Sequence, residues 1–377
     1  MSTQAFQPPP ERRIPGKYQA YWTKERSITK RGVVWVGHAC DIKCVFCYRD
    51  GLDPRDKRWK PFEGPGSTKE EVTRFRYTYG DEYVDFMGGE PTLYPHIYDL
   101  TEYCAKIGLE PTCITHGMHL ADLNRVQRFK DVGIHDFLVS IHGIGATNDQ
   151  ILRAPRTGST EKQVTALENL TKVGVPFRFN VTLIDTNKEQ LPDIARLAAT
   201  YGASVVNWIS FNPYFEWRAV GDIEFQGQHS SIVPYLMQAI DICTENGIEA
   251  NVRYMPLCQL RGYESHAYNG HQLPFDQHEW NYNSWYDYHQ DQPSVDWYRE
   301  AGFDQQRRHN YVHGAPCLNC AARTICDGFH EQYATRHGFS EAQPYEGTPI
   351  EDPTFFIKEQ IKLQYLRSTT PPHDQKG

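Results

Sequence analysis

The sequence predicts an α/β fold, a parallel sheet built of repeated strand–helix units and followed by a smaller irregular domain, on three observations. Between residues 31 and 254, short apolar runs rich in β-branched and aromatic residues alternate with segments whose apolar residues recur at spacings of three and four. Three of the helical segments close on glycine, the residue that most readily ends a helix. Past Met255 the texture changes, and residues 259–316 are rich in Tyr, Trp, His, Gln and Asn with little aliphatic periodicity. Alternation of strand and helix implies right-handed crossovers and a parallel sheet, either open or curled into a barrel. In both forms binding chemistry gathers at the C-terminal ends of the strands.

In chain order, residues 1–30 read as an N-terminal arm and residues 31–254 as the main domain, with strands at 32–36, 83–87, 111–115, 136–141, 177–184 and 204–210. The helices between them are PHIYDLTEYCAKIGL, HLADLNRVQRFKDVG, STEKQVTALENLTKVG and NKEQLPDIARLAATYG. Residues 255–345 form the second domain and 346–377 a tail, and the polar, proline-bearing ends at 1–15 and 367–377 are expected to fray. The net charge of −8 disfavours nucleic acid as a partner. With no apolar run of about 18 residues there is no membrane span, and the start lacks the pattern of a secretory signal, so a cytoplasmic location is expected.

Ten cysteines in such a chain point to metal rather than disulfides. Cys104, Cys113 and Cys243 lie singly in helix-like or strand-like segments and read as small core residues. Cys40, Cys44 and Cys47 follow the first strand in a Cys-x3-Cys-x2-Cys loop. A four-iron cluster takes one thiolate per iron, so three cysteines leave one iron open. Structural zinc is the alternative, with His38 as the fourth ligand. The second strand ends in Gly88-Gly89-Glu90-Pro91, where two glycines let a ligand approach the backbone and the acid beside them can receive a cationic amine.

Together the two motifs, with Phe46 at the aromatic position before Cys47, resemble the radical S-adenosylmethionine (radical SAM) superfamily over roughly residues 31–254. That resemblance implies a partial (β/α)6 barrel, a [4Fe-4S] cluster on Cys40, Cys44 and Cys47, and the methionine amine of SAM held by Gly88, Gly89, Glu90 and Pro91. It implies that the reduced cluster passes one electron into the sulfonium and that a 5′-deoxyadenosyl radical then abstracts a substrate hydrogen. Ser140 and Asn180 match positions that contact the ribose or carboxylate of SAM, although both are also ordinary strand-end polar residues. An electron donor such as flavodoxin or ferredoxin is implied as a partner.

Near the C-terminus, Cys317, Cys320 and Cys326 form Cys-x2-Cys-x5-Cys, similar to the auxiliary-cluster extension called SPASM or its shorter form Twitch. The fuller pattern continues to a further cysteine where this chain has His330, so one auxiliary [4Fe-4S] cluster is the economical count, with Cys258 as fourth ligand. Zinc, or an auxiliary iron left open, are the alternatives. The aromatic stretch within 259–316 suits a sugar-like or nucleoside-like ligand or simply packs on itself, and the basic segment Arg55–Lys60 reads as a solvated loop. The expected function is therefore hydrogen abstraction from a small polar metabolite with an oxidoreductase-type outcome. Lyase, epimerase or dehydratase outcomes share the same initiation. A peptide maturase is the runner-up, set second because about 30 residues before the first strand are few for a leader-binding module. Outside enzymes the alternative is a zinc-stabilised binding protein.

Overall fold

The structure is a computed structural model that describes residues 31–47, 59–155, 157–213, 224–268, 311–352 and 355–356, with the backbone alone at 18–23, 222–223 and 360–365. Arg55–Arg58, most of the aromatic stretch (269–310) and the termini fall outside the described residues.

The elements run β1 (Tyr18–Thr23), β2 (Arg31–Trp35), α1 (Pro65–Arg74), β3 (Tyr83–Met87), α2 (Ile97–Lys106), β4 (Glu110–Thr115), α3 (Leu123–Asp131) and β5 (Asp136–Ser140). They continue with α4 (Ala146–Leu152), α5 (Ser159–Val173), β6 (Phe177–Leu183), α6 (Leu191–Tyr201), β7 (Val205–Ser210), α7 (His229–Glu245) and β8 (Glu249–Arg253). The last are β9 (Ala267–Tyr268), β10 (Tyr311–Val312), β11 (Phe329–His330), α8 (Glu331–His337) and β12 (Gln360–Tyr365).

Eight strands, β2 through β9, form one all-parallel sheet in which spatial order equals chain order. Its two edges, β2 and β9, do not pair with each other, so the sheet curls into a partial barrel rather than a closed one. This is the expected α/β architecture with one difference. The sequence indicates six strands, and the structure adds β8 and the short β9, so the main sheet runs on to Tyr268. Two small antiparallel pairs stand apart, β10 with β11 and β1 with β12.

The two faces of the sheet are chemically opposite. Outward residues such as Val34, Phe86, Cys113, Phe137, Val139, Phe179, Val181 and Trp208 are buried in a continuous apolar core. Cys104 and Cys243 are buried in that core too, as expected. The inward face is polar at its N-terminal end. Arg31 Nη1 donates to Asp85 Oδ1 at 2.6 Å, Thr112 Oγ1 donates to Asp136 Oδ1 at 2.5 Å, and Arg178 Nε donates to Asp136 Oδ2 at 2.7 Å. Burial pushes the Asp136 carboxyl up, but the Arg178 charge with its hydrogen bonds, helped by His135 and Arg31, holds it well below the usual carboxylate range. Further round, Asn251 Nδ2 donates to Asn207 Oδ1 at 3.2 Å. A filled polar floor of this kind closes the barrel at one end and leaves the C-terminal strand ends as the open mouth.

The C-terminal segment has a small core of its own, with Cys258, Cys317, Phe329 and Tyr333 packed together, and also shares the barrel's core. Met255, Leu257, Leu260, Ala322, Ile325 and Cys326 are buried in the same apolar cluster as the barrel.

Candidate functional site

Immediately after β2 the chain runs as the loop carrying Cys40, Cys44 and Cys47. It is fixed by backbone bonds to three separate segments. Gly89 N donates to Gly37 O at 2.9 Å and Glu90 N to Ala39 O at 2.7 Å, which extends the β2–β3 pairing beyond both strands. Ala39 N donates to Pro61 O at 3.0 Å, and Val45 N to Ile151 O at 2.9 Å. Val45 packs with Ile151, Ile184 and Phe211 in a small cluster of its own.

Cys40, Cys44 and Cys47 line a cavity of about 390 Å³ at the C-terminal ends of the strands, a size ordinary for a small-molecule site. Gly88, Gly89, Glu90, Ser140 and Asn180 line the same cavity, so all but one of the residues expected there meet in one place. The exception is Pro91, which is buried at the first position of a short 3-10 turn, Pro91–Leu93, and does not line the cavity. His38 is also absent from the lining, and its ring lies against those of Trp35 and Trp59.

The glycine turn also does a job that its sequence does not announce. A Cβ on Gly89 would collide with the carbonyl oxygens of Ala39 and His38, and one on Gly88, which has φ +149°, with that of Gly37. These glycines are required by the cysteine loop's own backbone. Glu90 is likewise engaged. Its Oε1 accepts from Thr92 N at 3.0 Å, Thr92 Oγ1 at 2.6 Å and Thr115 Oγ1 at 2.6 Å, while Oε2 accepts from His116 N at 2.9 Å. Three of these bonds converge on Oε1 and one on Oε2, so it is the Oε2 edge that keeps acceptor capacity. Besides lining the cavity, Glu90 organises the ends of β3 and β4.

His116 completes this organisation. Met118 N donates to its Nδ1 at 3.1 Å, which puts the ring hydrogen of a neutral imidazole on Nε2. Nε2 lies 2.9 Å from Asp41 Oδ1 and 3.3 Å from Glu90 Oε2, so it ties the cysteine loop to the glycine turn. Asp41, His116 and His119 bring three metal-type donor atoms within 4.8 Å, but a protonated Nε2 is no ligand and the trio reads as a clasp.

Apart from Phe46, the rest of the lining was not singled out in the sequence. Apolar walls come from Met87, Ile114, Leu138, Leu152, Ile209 and Phe211, and polar groups from His142, Thr182, Ser210, Asn212 and Tyr254. Tyr254 adopts φ +62°, an uncommon conformation for an aromatic residue. Asn212 Nδ2 donates to Tyr254 O at 3.1 Å and lies 3.1 Å from the Tyr311 hydroxyl, which joins the cavity rim to β10. The signal available in the sequence was position. His116 and His142 each fall one or two residues past a strand end, where cavity residues gather.

A second, narrow cavity is lined by Cys258, Cys317, Cys320 and Cys326 together. Three of these sulfurs accept N–H bonds: Cys258 from Gln259 Nε2 at 3.4 Å, Cys320 from Tyr345 N at 3.3 Å and Cys326 from Gly328 N at 3.4 Å. Burial pushes the Cys317 and Cys326 thiols up, so a bound cation is what would favour their thiolates. His330 does not line this cavity. Its Nδ1 accepts from Gln332 N at 3.2 Å and caps α8.

Residues 36–198 match the family model described as the radical SAM superfamily. The chain is 27% identical over 183 residues to a PqqA peptide cyclase of Methylorubrum extorquens, an alignment covering 48% of this chain and 46% of that protein. It is 28% identical over 165 residues to an Fe-coproporphyrin III synthase of Methanosarcina barkeri, covering 43% and 39%. The chain thus spans less than half the length of these curated relatives. Among solved structures, Streptococcus suis SuiB bound to precursor peptide SuiA superposes with a TM-score of 0.49 at 16% identity, over 60% of this chain and 49% of that one. Native anSMEcpe with bound AdoMet and the Cp18Cys peptide gives 0.44 at 14% identity, over 59% and 63%.

Proposed function

This chain carries a radical SAM domain at residues 36–198, and from that premise we propose that it is an enzyme that cleaves SAM reductively to modify a peptide. The reading is carried by one observation: three thiols, a glycine turn and strand-end polar groups converge on a single cavity with no fourth cysteine in its lining. When loaded, a [4Fe-4S] cluster on Cys40, Cys44 and Cys47 supplies the electron that splits the sulfonium, through the iron those thiolates leave open.

The protein's own contribution is binding, orientation and exclusion of water. The Gly88–Glu90 segment, which lines the cavity, meets the methionine amine. Ser140, Asn180 and Thr182 orient the rest of SAM, and the apolar walls keep water from a reactive radical. Cys258, Cys317, Cys320 and Cys326 would hold one auxiliary cluster, which the N–H bonds to their sulfurs suit. A peptide substrate is favoured over the sugar, aminocyclitol or nucleoside expected from sequence, because a matched relative is named for peptide cyclisation.

The test is anaerobic reconstitution, SAM and a reductant (dithionite or reduced flavodoxin), with 5′-deoxyadenosine and iron both measured. About eight irons per chain are expected, falling to about half in the Cys40→Ala/Cys44→Ala/Cys47→Ala variant together with complete loss of SAM cleavage. Co-expression with short peptides encoded beside the gene should give a mass change in one of them that the triple variant abolishes. SAM cleavage in the triple variant would overturn the site. Turnover of a sugar or nucleoside with every such peptide unchanged would overturn the peptide reading.

A further inference from the structure

His142 lies two residues past the end of β5, is buried, and lines the cavity between the cysteine loop and β6. Its ring meets the Phe46 ring edge-on with centroids 4.7 Å apart. Nδ1 accepts the backbone N–H of Thr182 at 3.1 Å, and the His142 carbonyl accepts Nδ2 of Asn187 at 2.8 Å, so ring and backbone are both fixed. A ring nitrogen that accepts an N–H carries no hydrogen, which places the hydrogen of the neutral imidazole on Nε2. Burial pushes this imidazole down to about 3, so it stays neutral across the physiological range. Nε2 has no partner among the described residues and is not one of the polar atoms sealed into the core, which leaves it the cavity to face.

We propose that His142 Nε2–H is a fixed, uncharged hydrogen-bond donor to the nucleoside end of bound SAM. The inference rests on the SAM reading above and adds a residue that the sequence motifs do not mark. Placement selects the nucleoside end. The thiols and the glycine turn follow β2 and β3, where the methionine end goes, whereas His142 shares the β5–β6 side of the cavity with Ser140, Asn180 and Thr182. Charge selects a neutral donor. SAM is a sulfonium cation, and an imidazolium or lysine on this wall would repel it in a site of low dielectric, while a neutral N–H donates without that cost. An unfilled donor on the wall favours any ligand that brings it an acceptor.

Two substitutions separate this role from a merely structural one. In His142→Asn the side-chain oxygen can still accept from Thr182 N, but nothing reaches the position of Nε2. In His142→Gln the amide nitrogen can occupy about that position. SAM affinity of the cluster-loaded full chain, measured by anaerobic equilibrium dialysis, should fall about tenfold in His142→Asn and stay within about threefold of wild type in His142→Gln. Both variants should keep wild-type iron content and the wild-type electron paramagnetic resonance spectrum without SAM. Wild-type affinity in His142→Asn, or equal weakening in both variants, would overturn the donor role while leaving the SAM reading intact. A wild-type chain that binds no SAM would overturn both at once.

Discussion

At position 89 the chain tolerates a hydrogen and nothing larger, because the Ala39 carbonyl of the cysteine loop lies where a side chain would start. The two motifs that identify the site are therefore one piece of backbone: the turn after β3 presses on the loop after β2 and bonds to it through Gly89 N and Glu90 N. Read from sequence, Gly89→Val fills space that SAM needs and leaves the cluster alone. The structure changes that expectation. Gly89→Val should displace the Cys40 loop, so iron at the first site falls by more than half and SAM binding falls with it, while the auxiliary cluster's paramagnetic signal persists. Retention of full iron content would show that the loop can yield. The residue types at this site were legible in the sequence, since thiols and glycines at fixed spacing announce themselves. Which atoms they touch was not, because nothing in the spacing shows that Thr92, Thr115 and His116 bond to Glu90.

The six strands visible in the sequence are those whose outward side chains are apolar enough to signal a core. β8 escapes that test. Glu249, Asn251 and Arg253 alternate with Ala250 and Val252, which reads like a solvent-facing edge, yet all five are buried. Their polar side chains belong to the inward floor, where Asn251 meets Asn207, and burial of a polar face is invisible to periodicity. The same floor makes a prediction about Arg178, which is fully buried and donates to both oxygens of Asp136. Arg178→Met strands an ionised carboxylate in the barrel and should cost about 3–5 kcal/mol, measured by urea unfolding, whereas Arg178→Met with Asp136→Asn should recover a large share of that loss. Equal destabilisation of single and double variants would mean that packing, not charge, dominates there.

Barrel and C-terminal segment are joined through aromatic and histidine contacts as well as a shared core. His229, at the start of α7, stacks on Tyr333 of α8 with centroids 3.9 Å apart and rings 10° from parallel, and its backbone N–H donates to the Tyr333 hydroxyl at 2.9 Å. That hydroxyl in turn meets Glu341. Burial pushes His229 down to about 4 against the partial opposition of Glu341, and His142 down to about 3. An unfolded histidine titrates near 6.5, so between that pH and the folded values the unfolded chain binds more protons. Stability from these two residues is therefore complete above about pH 7 and drains away as pH falls from 6.5 toward 4, by up to about 1.4 kcal/mol per pH unit for each. Calorimetry should show a melting temperature nearly flat from pH 7 to 8 and falling below 6.5. His229→Phe, which keeps the stack but cannot titrate, should lessen the fall, and an unchanged profile in that variant would remove His229 from the account.

The order of strands in the sheet has a consequence for how the molecule comes into being. Because neighbours in space are neighbours in sequence from β2 to β9, each strand leaving the ribosome finds its partner already laid down. The Cys40 end of the cysteine loop is clamped by β3 and its turn, whereas the Cys44–Cys47 end is held by Ile151 and Leu152 and so waits for the chain beyond β5. Cys258 holds one side of a site whose other three thiols arrive only when the chain returns at Cys317. The cysteine loop is thus completed within the barrel, whereas the four-thiol pocket waits for closure of a further loop beyond it.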